Sequence, residues 1–178
     1  MGPVELNLIV RPVSPADLGP VSEIFGWYAV HSVATFEESA RSQAYWSQHA
    51  DELAALGLPF LVAEADGAVA GYAYAGPWHR KPAYRLTAED SVFVAPDRTG
   101  RGIGRRLLTE LLTASEDAGL RQVIAVIADS GDQASVVLHM SCGFRHVGRL
   151  TEVGFKHGRW IDTVLMQRVL PLAAPRAE

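Results

Sequence analysis

Residues 91–104 of this 178-residue chain read SVFVAPDRTGRGIG, and this stretch decides the fold. Its β-branched and aromatic start, Ser91 to Ala95, predicts a strand. From Gly102 to Ala118 the apolar residues recur at helical spacing, and Gly119 marks the helix end. A strand, a glycine-rich loop and an amphipathic helix therefore follow one another directly.

The loop before this helix, from Thr99 to Gly104, has the chemistry of an anion site. Glycines allow close backbone approach, and the free N–H groups and positive dipole end of a helix start can hold a pyrophosphate. No Gly-Lys-Ser/Thr follows, so the loop is not a Walker loop. It also departs from the dinucleotide fingerprint, because Leu107 stands where a glycine is required. A purely structural turn remains the alternative at this point.

Helix and strand signals alternate on both sides of this unit. Ser14-Pro15-Ala16-Asp17 has the pattern of a helix start, and Asp66-Gly67 is a strong hairpin signal. The further predicted strands are 6–13, 60–65, 68–75, 122–128, 144–153 and 161–169, and the further helices are 15–30, 41–56 and 133–141. The continuous apolar run 122–128 predicts a strand covered on both faces. We expect one α/β domain over residues 1–170, a single mixed sheet with helices on both faces, followed by a flexible tail, 171–178.

Composition and charge exclude several classes of protein. Apolar residues make up 48% and charged residues 20% of the chain, an ordinary globular mixture. No apolar stretch approaches the ~18 residues of a membrane helix, and the start lacks a signal-peptide pattern. The formal charge of −4 predicts no nucleic-acid or membrane partner. With one cysteine, Cys142, and no zinc-type spacing, we expect a cytoplasmic protein without a disulfide or metal.

The strand and glycine-rich loop are similar to the acetyl-CoA motif of the Gcn5-related N-acetyltransferase (GNAT) superfamily. Further segments resemble its phosphinothricin and methionine sulfoximine N-acetyltransferase branch, and the similarity runs from about Ile9 to Leu170. These segments are Ala34-Thr35-Phe36-Glu37, Tyr74-Ala75-Gly76-Pro77-Trp78, Ala88-Glu89-Asp90-Ser91-Val92, Ala134-Ser135 with Leu138-His139, and Gly158-Arg159-Trp160-Ile161-Asp162. The glycine loop marks the superfamily, whereas the other segments are specific to the branch.

The resemblance implies a GNAT fold, a mostly antiparallel sheet in which a central strand pair is splayed and holds acetyl-CoA. The implied cofactor-binding residues are Val92, Phe93, Val94, Gly100, Arg101, Gly102, Ile103, Gly104, Arg105 and Asp132. Two positions depart from the family pattern. Thr99 stands where Arg or Gln is common, and Asp132 replaces the Asn that contacts the cofactor arm.

The resemblance also implies the acid–base groups. Transfer to an amine requires a neutral nucleophile, so a base must remove a proton from the ammonium. Glu89, on the strand that leads into the cofactor loop, aligns with the family's general base. His139 aligns with the branch's histidine and has a predicted role as a base through water or as the acid. A solvated carboxylate and a packed histidine are the alternatives that the residues alone leave open.

A cationic stretch before Glu89 suggests how the acceptor is held. Phosphinate or carboxylate groups of an amino-acid substrate require cationic partners, although a basic surface loop is the alternative. The predicted substrate-binding residues are Thr35, Phe36, His79, Arg80, Lys81, Tyr84, Arg85, Asp90 and Ser91. Trp160 and Asp162 are expected to shape or buttress the site.

The sequence thus predicts an acetyl-CoA-dependent N-acetyltransferase that acts on a small amino acid by direct attack in a ternary complex. The expected acceptors are of the phosphinothricin, methionine sulfoximine or methionine sulfone type, and the family implies a homodimer. Another amine, such as a protein N-terminus or a polyamine, is the alternative acceptor. A non-catalytic acyl-CoA sensor on the same fold is the alternative from another class, since fold does not fix function.

Overall fold

The computed structural model describes residues 7–171 as a seven-stranded sheet with four α-helices. The strands are β1 (Leu8–Pro12), β2 (Phe60–Ala65), β3 (Ala68–Pro77), β4 (Thr87–Val94), β5 (Gln122–Ala128), β6 (Arg145–Lys156) and β7 (Arg159–Val169). The helices are α1 (Leu18–His31), α2 (Gln43–Ala55), α3 (Ile103–Asp117) and α4 (Ala134–Ser141). Within this part of the chain, no helix combines the length and apolar character needed to cross a bilayer.

The sheet order is β1-β2-β3-β4-β5-β7-β6, and every neighbouring pair is antiparallel except β4 and β5. The parallel pair β4–β5 is short. It joins only residues 87–89 of β4 to residues 122–124 of β5, after which the strands have no further register. The predicted mixed, mostly antiparallel sheet with a splayed central pair is confirmed.

Alternating residues of the strands divide the interior into two cores. Leu61, Ala63 and Ala73 pack with helix α3, whereas Phe60, Val62 and Tyr72 pack with α1 and α2. Both faces of the sheet are therefore covered by helices, as the alternating pattern predicts. The Asp66-Gly67 turn is also confirmed, since both residues have positive φ, 53° and 80°.

Several predicted boundaries are wrong in ways that matter for the site. Strand β4 begins at Thr87 rather than Ser91, so Glu89 lies inside the sheet and pairs with Gly76. The last two strands form a longer hairpin, 145–169, with a tight turn at His157-Gly158. Helix α1 begins after a short 3-10 turn, Pro15–Asp17, whose Asp17 accepts from the Ser14 backbone N–H at 2.7 Å.

The prediction that β5 is covered on both faces is wrong. Val123 and Ala125 are buried, but Val126 is 37% exposed, because this face of the strand borders the opening between β4 and β5. An apolar run does not distinguish a helix-covered face from a face that lines a cavity. The predicted start of β1 at Leu6 and the predicted tail lie outside the described residues, apart from Pro171.

Candidate active site

A cavity of about 890 Å³ opens where β4 and β5 separate, and we call it the main cavity. It exists because the two strands diverge after Glu89 and are no longer paired by backbone hydrogen bonds beyond this residue. Its walls are the free edge of β4, the exposed face of β5, the starts of α3 and α4, and the loop after α1. The main cavity therefore joins the glycine loop to the predicted acceptor residues.

One end of the main cavity is the start of helix α3. The first helical hydrogen bond runs from Arg106 N to Gly102 O, so the N–H groups of residues 103–105 precede the ladder and are free to hold an anion. Gly100 and Gly102 have φ of 74° and 79°, a conformation that favours glycine. Arg98 and Arg105 also line this end and add positive charge.

The inner edge of β4 forms a second part of the site. Ala95 N donates to Ala70 O on β3 at 2.8 Å, and alternate residues of an antiparallel strand bond to the same neighbour. The backbone groups of Val92 and Val94 therefore face the main cavity, where an extended ligand can pair with them. The Val94 carbonyl already accepts from the Tyr28 hydroxyl at 2.8 Å, which leaves the backbone groups of Val92 and the N–H of Val94 for a ligand.

These features fit acetyl-CoA: a strand edge for its amide arm and a glycine-rich helix start for its pyrophosphate. Gly104 is part of the fit, because an added Cβ would stand 3.4 Å from Leu138 and 3.5 Å from Val94, in the lining of the main cavity. Asp132 lines the same wall, and its Oδ1 accepts from Ala134 N at 2.9 Å at the start of α4. Arg101, predicted to bind the cofactor, is exposed and does not line the main cavity.

Glu89 lies at the point where the sheet opens. It is the last β4 residue in register with β5, opposite Ile124, and its side chain lines the main cavity. Burial raises the pKa of Glu89 above its usual 4.5, and the neighbouring Asp90 carboxylate raises it further. A carboxylate whose proton affinity is increased and which faces a cavity can accept a proton from a bound ammonium.

His139 is held on both sides, and it is only 4% exposed. Its Nδ1 lies 2.7 Å from the Ser135 carbonyl oxygen, which only accepts, so Nδ1 carries a proton. Its Nε2 lies 2.9 Å from Asp90 Oδ2. Burial alone lowers the pKa of His139, but the hydrogen bond and charge of Asp90, with the Ser135 carbonyl, outweigh it and raise the pKa above 6.5.

Both ring nitrogens are therefore engaged, Nδ1 with the Ser135 carbonyl and Nε2 with Asp90, and neither is free to act as a base toward a substrate. Asp90, predicted to bind substrate, is 7% exposed and bonds helix α4 to strand β4 through His139. Its other oxygen, Oδ1, has no hydrogen-bond partner among the described residues. The catalytic role of His139 stays a prediction, and the geometry favours a positioning role for this pair.

The other end of the main cavity is aromatic. Of the predicted acceptor residues, Thr35, Phe36, Asp90 and Ser91 line the main cavity. Tyr45, Trp46 and Tyr74 complete this wall, and no pattern in the sequence marked Tyr45 or Trp46 because they read as the buried face of an ordinary helix. In the described part of the chain, the Lys and Arg side chains that line the main cavity are Arg98 and Arg105, both at the other end. His139 also lines the main cavity, where its ring is bonded to Asp90.

The predicted cationic loop is not part of this wall. His79, Arg80, Lys81, Tyr84 and Arg85 are exposed, and none of them lines the main cavity. Trp160 is 61% exposed, and Asp162 bonds to Arg149 at 2.8 Å, so neither residue borders the main cavity either. Within one chain, the structure brings together Glu89, the aromatic wall and the predicted cofactor-binding residues other than Arg101, but not this loop.

One residue of the acceptor end was missed altogether. Lys156 on β6 is 2% exposed and donates to two carbonyl oxygens of the loop that carries Phe36. A lysine next to a turn reads as a surface residue in the sequence, and only the packing of the hairpin against this loop places it inside. No group of three or more His, Cys, Asp or Glu side chains in residues 7–171 is arranged to hold a metal ion.

Comparison with known proteins gives a consistent result. The acetyltransferase (GNAT) family model matches residues 23–144. A phosphinothricin N-acetyltransferase of Alcaligenes faecalis is 47% identical over 90% of this chain and 82% of its own length. An L-methionine sulfoximine/L-methionine sulfone acetyltransferase of Salmonella typhimurium is 36% identical over 96% of this chain and 99% of its own.

A solved structure extends the similarity to the fold and the co-substrate. It is a GNAT superfamily phosphinothricin acetyltransferase from Sinorhizobium meliloti in complex with acetyl-CoA. It superposes with a TM-score of 0.88 at 40% identity, covering 92% of this chain and 88% of that one. The predicted family resemblance is confirmed.

Proposed function

Because the chain belongs to the acetyltransferase (GNAT) family, we propose that it moves an acetyl group from acetyl-CoA to the α-amine of a small amino acid or analogue. The chain is an acetyl-CoA-dependent acetyltransferase, and the acceptor is the part that we infer. The relatives named for phosphinothricin and for methionine sulfoximine or sulfone support acceptors of that type.

Acetyl-CoA supplies an acetyl thioester, and the protein's own groups supply its binding and the proton transfer. The N–H groups at the start of α3, with Arg98 and Arg105, hold the pyrophosphate, and the inner edge of β4 at Val92 holds the amide arm. Glu89 accepts a proton from the acceptor's ammonium, which leaves the amine a lone pair for attack on the thioester carbonyl. As the N–C bond forms, the C–S bond breaks, and coenzyme A leaves as a thiolate that takes up the second proton lost by the nitrogen. Cys142 lies outside the lining of the main cavity, which supports direct attack rather than a route through a covalent cysteine.

One observation carries this proposal. Glu89 stands between the free β4 edge and the aromatic acceptor wall, at the last paired position before the strands separate. A group at this junction can reach an amine that enters from the aromatic side and faces the cofactor side. Ser91, two positions further along β4, also lines the main cavity.

The anionic groups of the acceptor require positive charge, and no described Lys or Arg side chain of a single chain lines the acceptor end of the main cavity. We infer a homodimer, in which the exposed loop 79–85 of one subunit meets the acceptor end of its partner's main cavity. The support is the exposure of this cationic loop and an exposed apolar hairpin at the sheet edge, which includes Phe155 and Trp160. Residues 1–170 then act as one catalytic domain per subunit.

A cytoplasmic location goes with this function. Acetyl-CoA is a cytosolic metabolite, and the chain's one cysteine, Cys142, is a free thiol, as is usual in a reducing compartment.

The proposal is tested by measuring coenzyme A release from acetyl-CoA with a panel of acceptors. The panel contains phosphinothricin, methionine sulfoximine, methionine sulfone, ordinary amino acids, a peptide N-terminus and spermidine. We expect the highest kcat/KM for the first three. A far better rate with the peptide or spermidine would refute the acceptor assignment and leave the acetyltransferase assignment intact.

The cationic loop is tested by charge reversal, Arg80→Glu with Lys81→Glu. If the loop meets the acceptor's anionic group, the acceptor KM rises about tenfold or more while the Kd of acetyl-CoA is unchanged, since a charge-assisted contact is lost. Arg145→Glu, an exposed cation on β6, is the matched control. Unchanged acceptor kinetics in the loop variant would remove the loop from the site.

A further inference from the structure

Lys156 is a buried cation with an unusual set of partners. It lies on β6, is 2% exposed, and forms no ion pair with any described carboxylate. Its Nζ instead donates to Thr35 O at 2.7 Å and to Glu37 O at 2.6 Å. A buried ammonium is costly unless it is well bonded, so these two carbonyls are what keeps it inside.

The two carbonyls stand on either side of Phe36, and the Phe36 ring lies against Gly154 of the same strand. A Cβ added at Gly154 would overlap the ring atoms of Phe36, so only glycine leaves room for this contact. One strand, β6, thus holds both the backbone around Phe36 and the Phe36 ring itself. We call residues 32–38 the acceptor loop, and Lys156 with Gly154 the clamp.

Besides the side chain of Val33, which is buried, the acceptor loop has few other anchors. Its other side-chain bonds are mostly local: Ala34 N donates to Ser32 Oγ at 2.9 Å, and Glu37 N donates to Thr35 Oγ1 at 3.2 Å. The Glu37 carboxylate pairs with Arg41 at 2.6 Å, just beyond the loop. The clamp, by contrast, joins residues about 120 positions apart in the sequence.

The acceptor loop also borders the main cavity. Ser32, Ala34, Thr35, Phe36 and Glu37 all line it, on the aromatic side and away from the glycine loop. A displacement of this loop changes the acceptor end and leaves the strand edge and helix start that hold acetyl-CoA in place.

We propose that Lys156 and Gly154 are positioning residues for the acceptor: by clamping the acceptor loop to β6 they set the place of Phe36 and hence the affinity for the amine substrate. The proposal depends on the proposed function in one respect: it assumes that the acceptor binds beside Phe36. Lys156 itself touches neither substrate nor the reacting atoms.

The first test compares Lys156→Met, which keeps the length of the side chain and removes its charge, with Arg159→Met. Arg159 is the exposed register partner of Lys156 across the hairpin, so it is a matched control. In Lys156→Met we expect the acceptor KM to rise about tenfold or more, since two bonds from a charged donor are lost. The Kd of acetyl-CoA stays at its wild-type value, and so does kcat within about twofold, because the groups that bind acetyl-CoA and accept the proton are untouched.

A double-mutant cycle shows whether Lys156 acts through Phe36. In a Phe36→Ala background, Lys156→Met should raise the acceptor KM by much less than it does alone, because the ring that it positions is already absent. Equal effects in the two backgrounds would overturn the proposal. So would a folded Lys156→Met variant with the wild-type acceptor KM.

Hydrogen exchange gives a readout that needs no acceptor. Amides of the acceptor loop should exchange faster in Lys156→Met, while those of β4 and α3 keep their wild-type protection. If Lys156→Met does not fold, Gly154→Ala is used in its place. This variant keeps the Lys156 ammonium and displaces the Phe36 ring, so the acceptor-loop amides should again exchange faster and the acceptor KM should again rise. Unchanged exchange rates of the acceptor-loop amides would overturn the proposed clamp. A wild-type protein that acetylates no amino acid would overturn the proposed function instead, and the exchange rates alone would then test the clamp.

Discussion

The charge state of single residues decides what this site can do, and Glu89 is the first example. Its carboxylate lies beside Asp90 in a half-buried position, and both burial and this neighbour favour its protonated form. Its pKa is therefore raised above 4.5 toward the range in which a base is effective near neutral pH.

Glu89→Gln keeps the shape of the side chain and removes its basic site. We expect kcat to fall by about 10²- to 10⁴-fold, as is typical for loss of a general base. In the wild type the rate rises with pH through the raised pKa of Glu89, and this limb should be absent from the variant's pH profile. Steady-state kinetics from pH 5 to 9 measure both effects, and an unimpaired rate across pH would assign proton removal to another group.

The pair of His139 and Asp90 shows why a residue's type does not fix its role. Both nitrogens of the ring are engaged, so this histidine holds α4 to β4. Because its folded pKa is raised above 6.5, its contribution to stability is complete below pH 6.5 and is lost as pH rises through the folded value.

Asp90→Asn tests this assignment directly. Without the carboxylate, burial is the main remaining influence, so the pKa of His139 should move from above 6.5 to below it. Loss of one partner of a buried pair should also lower the free energy of unfolding by about 3–5 kcal/mol. A titration of the His139 ring by NMR, with urea unfolding at pH 6, measures both, and a wild-type pKa at or below 6.5 would contradict the ion pair.

At the scale of elements, the start of α3 is where we propose that backbone N–H groups hold the pyrophosphate of acetyl-CoA. Gly104 has an ordinary negative φ and only two near neighbours for an added Cβ, whereas Gly102 has a φ of 79°. A side chain at Gly102 would strain the backbone by about 1–2 kcal/mol. A substitution at Gly104 therefore tests acetyl-CoA binding with a smaller effect on the free energy of unfolding.

Gly104→Val should therefore weaken acetyl-CoA binding with little loss of stability. Its methyl groups would enter the cradle beside Val94 and Leu138 and shield the N–H groups of the first turn, so Kd should rise about tenfold or more. Calorimetry and thermal unfolding measure the two effects. Thr113→Val, on the exposed face of the same helix, is the control, and wild-type affinity in a folded Gly104→Val variant would contradict the assignment.

Helices and turns that a local sequence pattern encodes could be predicted, whereas side-chain environments that depend on contacts between distant segments could not. The spacing of Ile103, Leu107 and Leu111 and the Asp66-Gly67 turn encode local structure directly, so α3 and the β2–β3 hairpin follow from the sequence. The raised pKa of His139 depends on Asp90, which is 49 positions away, and the burial of Lys156 depends on a loop about 120 positions away. The His157-Gly158 turn was missed because a His-Gly pair is not one of the dipeptides, such as Asn-Gly or Asp-Gly, that mark a two-residue hairpin turn.

At the scale of the whole molecule, the sheet ends at β6, and residues 145–153 of this strand are exposed. An exposed edge strand with apolar side chains favours pairing with another chain. On the β6–β7 hairpin, Val153, Phe155 and Trp160 are 51%, 57% and 61% exposed, and the Phe155 and Trp160 rings lie 5.1 Å apart. This apolar face supports the inferred homodimer, and it lies on the strand that carries the clamp.

Phe155→Glu with Trp160→Glu should therefore convert a dimer of the 19.3 kDa chain into a monomer, because two charges on each subunit would be buried in the interface. Sedimentation equilibrium over a range of concentrations measures the mass. Leu56→Glu is the control, since Leu56 is 60% exposed at the end of α2, far along the chain from the hairpin. If the hairpin face joins the subunits, only the double variant dissociates, and its acceptor KM rises because the partner's cationic loop is lost. A wild-type protein that is monomeric at all concentrations, or a double variant that stays dimeric, would place the subunit contact elsewhere and require the acceptor's anion to be held within one chain.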